Sequence, residues 1–207
     1  MTEKHTAHSV VDWTGYLYHE EVDALKALAQ SLPQDARIIN IGAGNGTSGL
    51  AFMEARPDLR VTTIDIQLES SPYGCLQGEE AVFKSAGCWG DPRHEQIHGD
   101  SKDVGMSWLV TRDPVDMVFI DGGHQYHEAR GDIWIWRENL RPDGILAVHD
   151  YEKSEKIWPG VDRAVCDYIA EIGDPVISQV TTLIAFRVGP RSQPEPKKRG
   201  RKPKAAL

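Results

Sequence analysis

The sequence predicts an α/β domain built on a doubly wound, mostly parallel sheet, with an antiparallel hairpin at its C-terminal edge. Apolar β-branched runs alternate with stretches of helical period through most of the chain, the pattern of strand, crossover helix and parallel strand. The last two apolar runs, within residues 176–188, are separated only by Thr181-Thr182 and leave no room for a helix between them. Polar residues that suit chemistry fall at the ends of the predicted strands: Gly42 to Gly46, Asp65, Asp100, Asp121 and Asp150. Ligands of such sheets sit beyond the carboxyl ends of the strands, where the strand order reverses.

Each element has its own signal. Val22, Leu25, Leu28, Ala29 and Leu32 repeat at helical spacing over residues 19–32, and Pro33 stops the helix. RIINI at 37–41 is a buried strand. A glycine turn follows at 42–46, then a helix at 47–55 that ends before Pro57. RVTTIDI at 60–66 is the second strand, with Asp65 near its end. Residues 67–78, rich in Ser, Pro and Gly, form a loop, and 79–86 a helix. A weak strand at 95–98 leads into Gly99-Asp100-Ser101, and a short helix covers 106–111. VDMVFI at 115–120 is a strong strand running into Asp121-Gly122-Gly123-His124, and a helix spans 126–140. GILAV at 144–148 runs into His149-Asp150-Tyr151, and a helix at 160–172 precedes the closing hairpin.

The 207 residues suit one such domain with short extensions: an N-terminal segment and lead-in helix at 1–35, the domain at 36–189 and a tail at 190–207. At 40% apolar and 26% charged residues the composition is ordinary for a globular chain. No apolar run reaches the roughly 20 residues that span a bilayer, and MTEKHTAHSVVDW lacks an apolar secretory core. Cys75, Cys88 and Cys166 are scattered and in no CxxC spacing, which argues against a disulfide framework or zinc knuckle and for a reducing cytoplasm. The net charge of −8 is uneven: residues 190–207 hold seven Lys/Arg and one acid, so this stretch carries +6 and the remainder −14. An acidic body repels a phosphate backbone.

The glycine turn reads Asn40-Ile41-Gly42-Ala43-Gly44-Asn45-Gly46. Glycines allow a sharp turn and a close approach of backbone to ligand. A dinucleotide site wants GxGxxG; here the third glycine comes one residue early. GxGxG resembles motif I of the class I methyltransferases, a Rossmann-like fold in which the turn cradles the amino-acid and ribose parts of S-adenosylmethionine (SAM). The resemblance implies cofactor contacts from Asn40, Gly42, Ala43, Gly44 and Gly46. Asp65 and Ile66 end the next strand, where a carboxylate accepts ribose hydroxyls. Asp100 and Ser101, after the third strand, bracket the adenine, and Asp121 closes the site. Motif I usually opens on Glu or Asp. Asn40 hydrogen-bonds through its amide but offers no full charge.

The string FIDGGHQYHEARGDIWIWRENLRPDGILAVHDY is similar to the methyltransferase 24 family of SAM-dependent enzymes and to metal-dependent O-methyltransferases acting on hydroxyls of small molecules. The resemblance extends over residues 38–188. Methyl transfer to a hydroxyl needs the acceptor at least partly deprotonated. A divalent cation lowers the pKa of a bound hydroxyl, and a nearby His takes the proton. Asp121 and Asp150 end neighbouring predicted strands, with His149 as a third ligand; this donor set suits Mg, Mn or a transition metal. In the metal-dependent relatives the matching positions hold Mg, although the pair after strand 5 is more often two acids or an acid with Asn. His124 matches the base of some relatives, with Tyr126 and His127 as weaker candidates. Against these stand plain structural roles, since Asp is favoured as a helix N-cap. Trp134 and Trp136 read as packing groups. Trp13, Tyr16 and Tyr18 lie in the N-terminal segment, either lining the acceptor pocket or packing on the surface.

KKRGRKP at 197–203 resembles an AT-hook, with Lys202 interrupting the core before Pro203. It reads first as a disordered, solvated tail. The alternative is a non-catalytic SAM-binding or DNA-associated protein that uses the tail to reach a narrow minor groove. The expected partner is a small-molecule acceptor, without a membrane; nucleic acid enters only through the tail, and a homo-oligomer is left open.

Overall fold

A computed structural model describes residues 4–14, 16–66, 76–152 and 157–190. The expected basic tail, its AT-hook-like string, most of the 67–78 loop and Cys75 lie outside the described residues.

Among the described residues seven strands form one sheet in the order β3-β2-β1-β4-β5-β7-β6. They are β1 (Arg37–Ile41), β2 (Arg60–Asp65), β3 (His94–His98), β4 (Val115–Ile120), β5 (Leu140–Val148), β6 (Val176–Val180) and β7 (Leu183–Arg187). The first five pair in parallel, while β7 runs antiparallel to both β5 and β6. The expected hairpin turns at Thr181-Thr182, with Thr181 at φ 47°. The helices are α1 (Ala7–Thr14), α2 (His19–Gln30), α3 (Thr47–Ala55), α4 (Leu76–Ala86), α5 (Ser101–Thr111), α6 (Tyr126–Asn139) and α7 (Pro159–Glu171).

The central strands read as unbroken apolar runs because both of their faces are covered. Ile38, Met117 and Phe119 pack with residues of α1, α2 and α3 on one side. Ile39, Ile41, Val118 and Ile120 pack with α5, α6 and α7 on the other. Trp136 is fully buried in this second layer and meets Trp108 edge to face at 5.8 Å. Trp134 packs on Tyr168 in the same way. Both tryptophans therefore take the packing role expected of them. No helix among the described residues is long and apolar enough to cross a membrane.

Candidate active site

Backbone hydrogen bonds continue the ladder past the strand ends and set the site residues side by side. Gly99 N donates to Asp65 O (3.0 Å), Gly42 N to Ile64 O (2.9 Å), Asp121 N to Ile41 O (2.9 Å) and His149 N to Ile120 O (3.0 Å). The strand order reverses between β1 and β4, so the glycine turn and the DGGH segment share the switch point. A Cβ on Gly42, which has φ 89°, would lie 2.1 Å from the Asp121 carbonyl oxygen. Only glycine fits there. Gly44 and Gly46 also have positive φ. The Ala43 N–H donates to Asp65 Oδ2 at 2.8 Å, tying the turn to the end of β2. Ile66 beside it is half exposed.

Two residues of the expected cofactor set have side chains bonded within the fold. Asn40 is fully buried. Its amide faces Thr63 Oγ1 at 3.4 Å and accepts from Ser48 Oγ at 3.0 Å, which ties β1 to α3. Ser101 donates its hydroxyl to Asp132 on α6. Asp100 stays at the crest as the N-cap of α5, accepting from Lys102 N at 2.8 Å and pairing with Lys102 Nζ at 3.1 Å.

The acid and imidazole groups converge at the ends of β4 and β5. Asp121, His124 and Asp150 each bring one ligand atom within 4.8 Å of the others. His124 Nε2 lies 2.7 Å from Asp150 Oδ2, and its ring stacks on Trp158 at 3.9 Å with an interplanar angle of 16°. The stack depends on Gly160, where a Cβ would lie 2.4 Å from the His124 carbonyl oxygen. Asp150 has φ 62°, a left-handed conformation that Asp tolerates better than most residues and that clusters at functional sites.

His149, expected as a third metal ligand, lies behind the Asp121 and Asp150 carboxylates. Its ring is 5% exposed and both nitrogens are engaged. Nδ1 faces Asp121 Oδ1 at 3.0 Å and Asp150 Oδ1 at 3.4 Å, and Nε2 faces Glu21 Oε2 at 3.0 Å. Burial lowers the His149 pKa, but the charge of Asp121 and bonds to Asp121, Asp150 and Glu21 outweigh burial and hold it well above the usual value. Burial raises Asp150, and hydrogen bonds from His124 and His149 overcome this, holding it far below the carboxylate range. For Glu21 burial is again opposed, chiefly by His149 and Thr181, and the carboxyl falls to about 2.

Tyr126 gives its hydroxyl to Asp167 on α7 at 2.6 Å, and His127 is exposed on α6 outside the cluster. Trp13 lies 55% exposed beside a cleft of about 320 Å³ that it lines together with His5, Asn45 of the glycine turn, and Gly78. A cleft of about 660 Å³ opens at the opposite end of the sheet. There Arg37, Arg93 and Arg112 already pair with Asp113, Asp91 and Glu95, away from the crest. Sequence reasoning did not single out Glu21, Asp132 or Trp158. Glu21 carries only a helix-start signal, and nothing along the chain links it to His149.

A doubly wound sheet with a glycine turn and a carboxylate–imidazole cluster at one switch point is the architecture of a class I methyltransferase. Residues 39–151, more than half of the chain, match the family model described as a methyltransferase domain, methyltransferase 24. The chain belongs to this family of SAM-dependent methyltransferases. It is similar to the uncharacterized protein y4gI of Sinorhizobium fredii, with 26% identity over 131 residues. That match takes 58% of this chain but only 13% of the relative. Its fold is similar to the O-methyltransferase TomG from Streptomyces achromogenes, involved in tomaymycin synthesis and solved with SAM (TM-score 0.66, 20% identity, 88% and 86% of the two chains). It is also similar to the O-methyltransferase from Bacillus cereus solved with S-adenosylhomocysteine (SAH) (TM-score 0.67, 15% identity, 90% and 93%).

Proposed function

We propose that this chain transfers the SAM methyl group to a hydroxyl of a small-molecule acceptor, in a domain spanning residues 36–189. The observation that carries the reading is the contact of Gly42 with Asp121. It sets the turn expected to cradle the sulfonium donor against the cluster expected to receive the acceptor. Both similar folds named above belong to O-methyltransferases, one holding SAM and the other SAH. Gly42, Ala43 and Gly44 would approach the cofactor through backbone, Asp65 would accept from its ribose, and Ile66 and Asp100 would flank its adenine.

His124 is the base. Asp150 orients its imidazole through the 2.7 Å contact, and Trp158 holds the ring plane. The acceptor proton passes to His124, the acceptor oxygen forms a bond to the methyl carbon, and the carbon–sulfur bond breaks to leave neutral SAH. Most of the acceleration comes from aligning donor and acceptor. Asp121 and Asp150 have the charge and spacing to hold a divalent cation, with the His124 imidazole in the same cluster. Such a cation, when bound, lowers the pKa of an acceptor hydroxyl.

The test is transfer of labelled methyl from SAM to a panel of catechols, phenols and glycosides, with and without EDTA, in wild type, Asp121→Asn and His124→Ala. Loss of about a hundredfold or more in His124→Ala, with activity surviving EDTA, supports the base role. Activity abolished by EDTA makes the cation essential to the acceptor's deprotonation. Normal turnover by both variants ends the assignment.

A further inference from the structure

Glu21 lies 128 residues before His149 in the chain, yet the two side chains meet at 3.0 Å. The Glu21 carboxylate is fully buried on α2. Oε2 accepts from Tyr18 N at 2.9 Å, as a helix cap requires. The remaining contacts do nothing for the helix. Oε1 accepts from Thr182 N at 2.9 Å, from the Thr182 hydroxyl at 2.8 Å and from the Thr181 hydroxyl, all in the β6–β7 turn. On the far side of the His149 ring, Nδ1 faces the Asp121 and Asp150 carboxylates. The ring is thus clamped between a carboxylate of the N-terminal helices and the acid pair at the strand ends.

We propose that Glu21 is a positioning residue for Asp121 and Asp150, acting through His149, so that seating α2 and arranging the acid pair are one structural event. The inference rests on the reading of Asp121 and Asp150 as site acids. An imidazole bonded at both nitrogens has one orientation, and partners of this kind set the geometry of the groups that bind. Without Glu21, Nε2 keeps only the Thr182 hydroxyl, at 3.1 Å. The ring is then free to turn, and Asp121 loses a fixed donor. Leu25 and Val22, fully buried on the same helix, anchor α2 so that the clamp has a rigid base.

The test uses the full chain as wild type, Glu21→Gln and Glu21→Ala. Four readouts are compared: melting temperature, SAH calorimetry, Mn²⁺ binding by electron paramagnetic resonance, and the imidazole N–H signals of His149, assigned through His149→Asn. SAH affinity should change far less than Mn²⁺ affinity, because Gly42 meets Asp121 at its backbone carbonyl and not at its carboxylate. The Nδ1–H signal should shift or vanish, and Mn²⁺ should bind about tenfold to a hundredfold more weakly. Glu21→Gln keeps the side-chain length and carries the comparison if Glu21→Ala does not fold. Variants that only melt lower, with the Nδ1–H signal and Mn²⁺ affinity of wild type, reduce Glu21 to a helix cap and overturn the proposal. If wild type ignores millimolar Mn²⁺ while the variants lose the Nδ1–H signal, the metal reading fails and the positioning role stands.

Discussion

Asp132 illustrates how one side chain couples local chemistry to stability. It is 2% exposed on α6 and accepts the Ser101 hydroxyl. Burial raises its carboxyl to about 6, against the bond from Ser101 and the nearby Lys102 charge. A folded pKa above the unfolded value of about 4 means that ionisation disfavours the fold. Stability is therefore lost as pH rises from about 4 through about 6. Asp132→Asn keeps the contact to Ser101 and removes the penalty. Its stability advantage over wild type should grow by about 2 kcal/mol between pH 4.5 and pH 7.5, measured by urea unfolding. A difference independent of pH contradicts the account. At this scale the sequence was only partly legible. Asp65, Asp121, His124 and Asp150 meet at the crest because position along a strand end determines where they emerge. Asn40, Ser101 and His149 also emerge there; the first two bond to Ser48 and Asp132, and His149 bridges the acid pair to Glu21. Asp132 and Glu21 come from distant segments that no spacing rule reaches, and Ser48 from the helix that follows the glycine turn.

Among the elements, those with strong local signals match their expected bounds. RIINI, VDMVFI and the helix Thr47–Ala55 do so, because apolar runs and flanking glycine or proline define both ends. The helix expected at 106–111 begins instead at Ser101, because Asp100 caps it and the first turn is polar. β5 starts at Leu140, ahead of a Pro-Asp-Gly stretch that reads as a turn; pairing of Leu140 with Val115 draws it into the sheet. α1 had no signal of its own and owes its place to Ala7, Val10 and Val11, buried in the same core as α3. The start of α7 carries a sharper consequence. Gly160 leaves room for the backbone of His124 and Tyr126, and a Cβ there would sit 2.4 to 2.5 Å from both. Gly160→Ala should displace α7, separate Trp158 from His124 and cost roughly 2 kcal/mol, the usual scale of overpacking. Tryptophan fluorescence and denaturant unfolding check both effects together. An unchanged emission with full stability would show that the contact is dispensable.

Across the whole molecule, function follows from where the sheet changes direction. The two apolar layers cover both faces of the central strands, so the site builds on their carboxyl ends. β1 and β4 bring the glycine turn and the acid cluster together there. The alternation of elements made this topology legible, since right-handed crossovers leave few ways to wind such a chain. The docking of α2 onto His149 and the β6–β7 turn was not legible, because it depends on contacts across more than a hundred residues. A ligand that binds only the folded state must stabilise it, so SAH should raise the melting temperature with the logarithm of its concentration above Kd. The most direct measurement is calorimetric titration of SAM into wild type and Asp65→Ala. Wild type should bind with a single site per chain, and Asp65→Ala about tenfold or more weakly, the scale of a lost hydrogen bond to a charged group. No heat at millimolar SAM, or equal affinity in the two proteins, would contradict it.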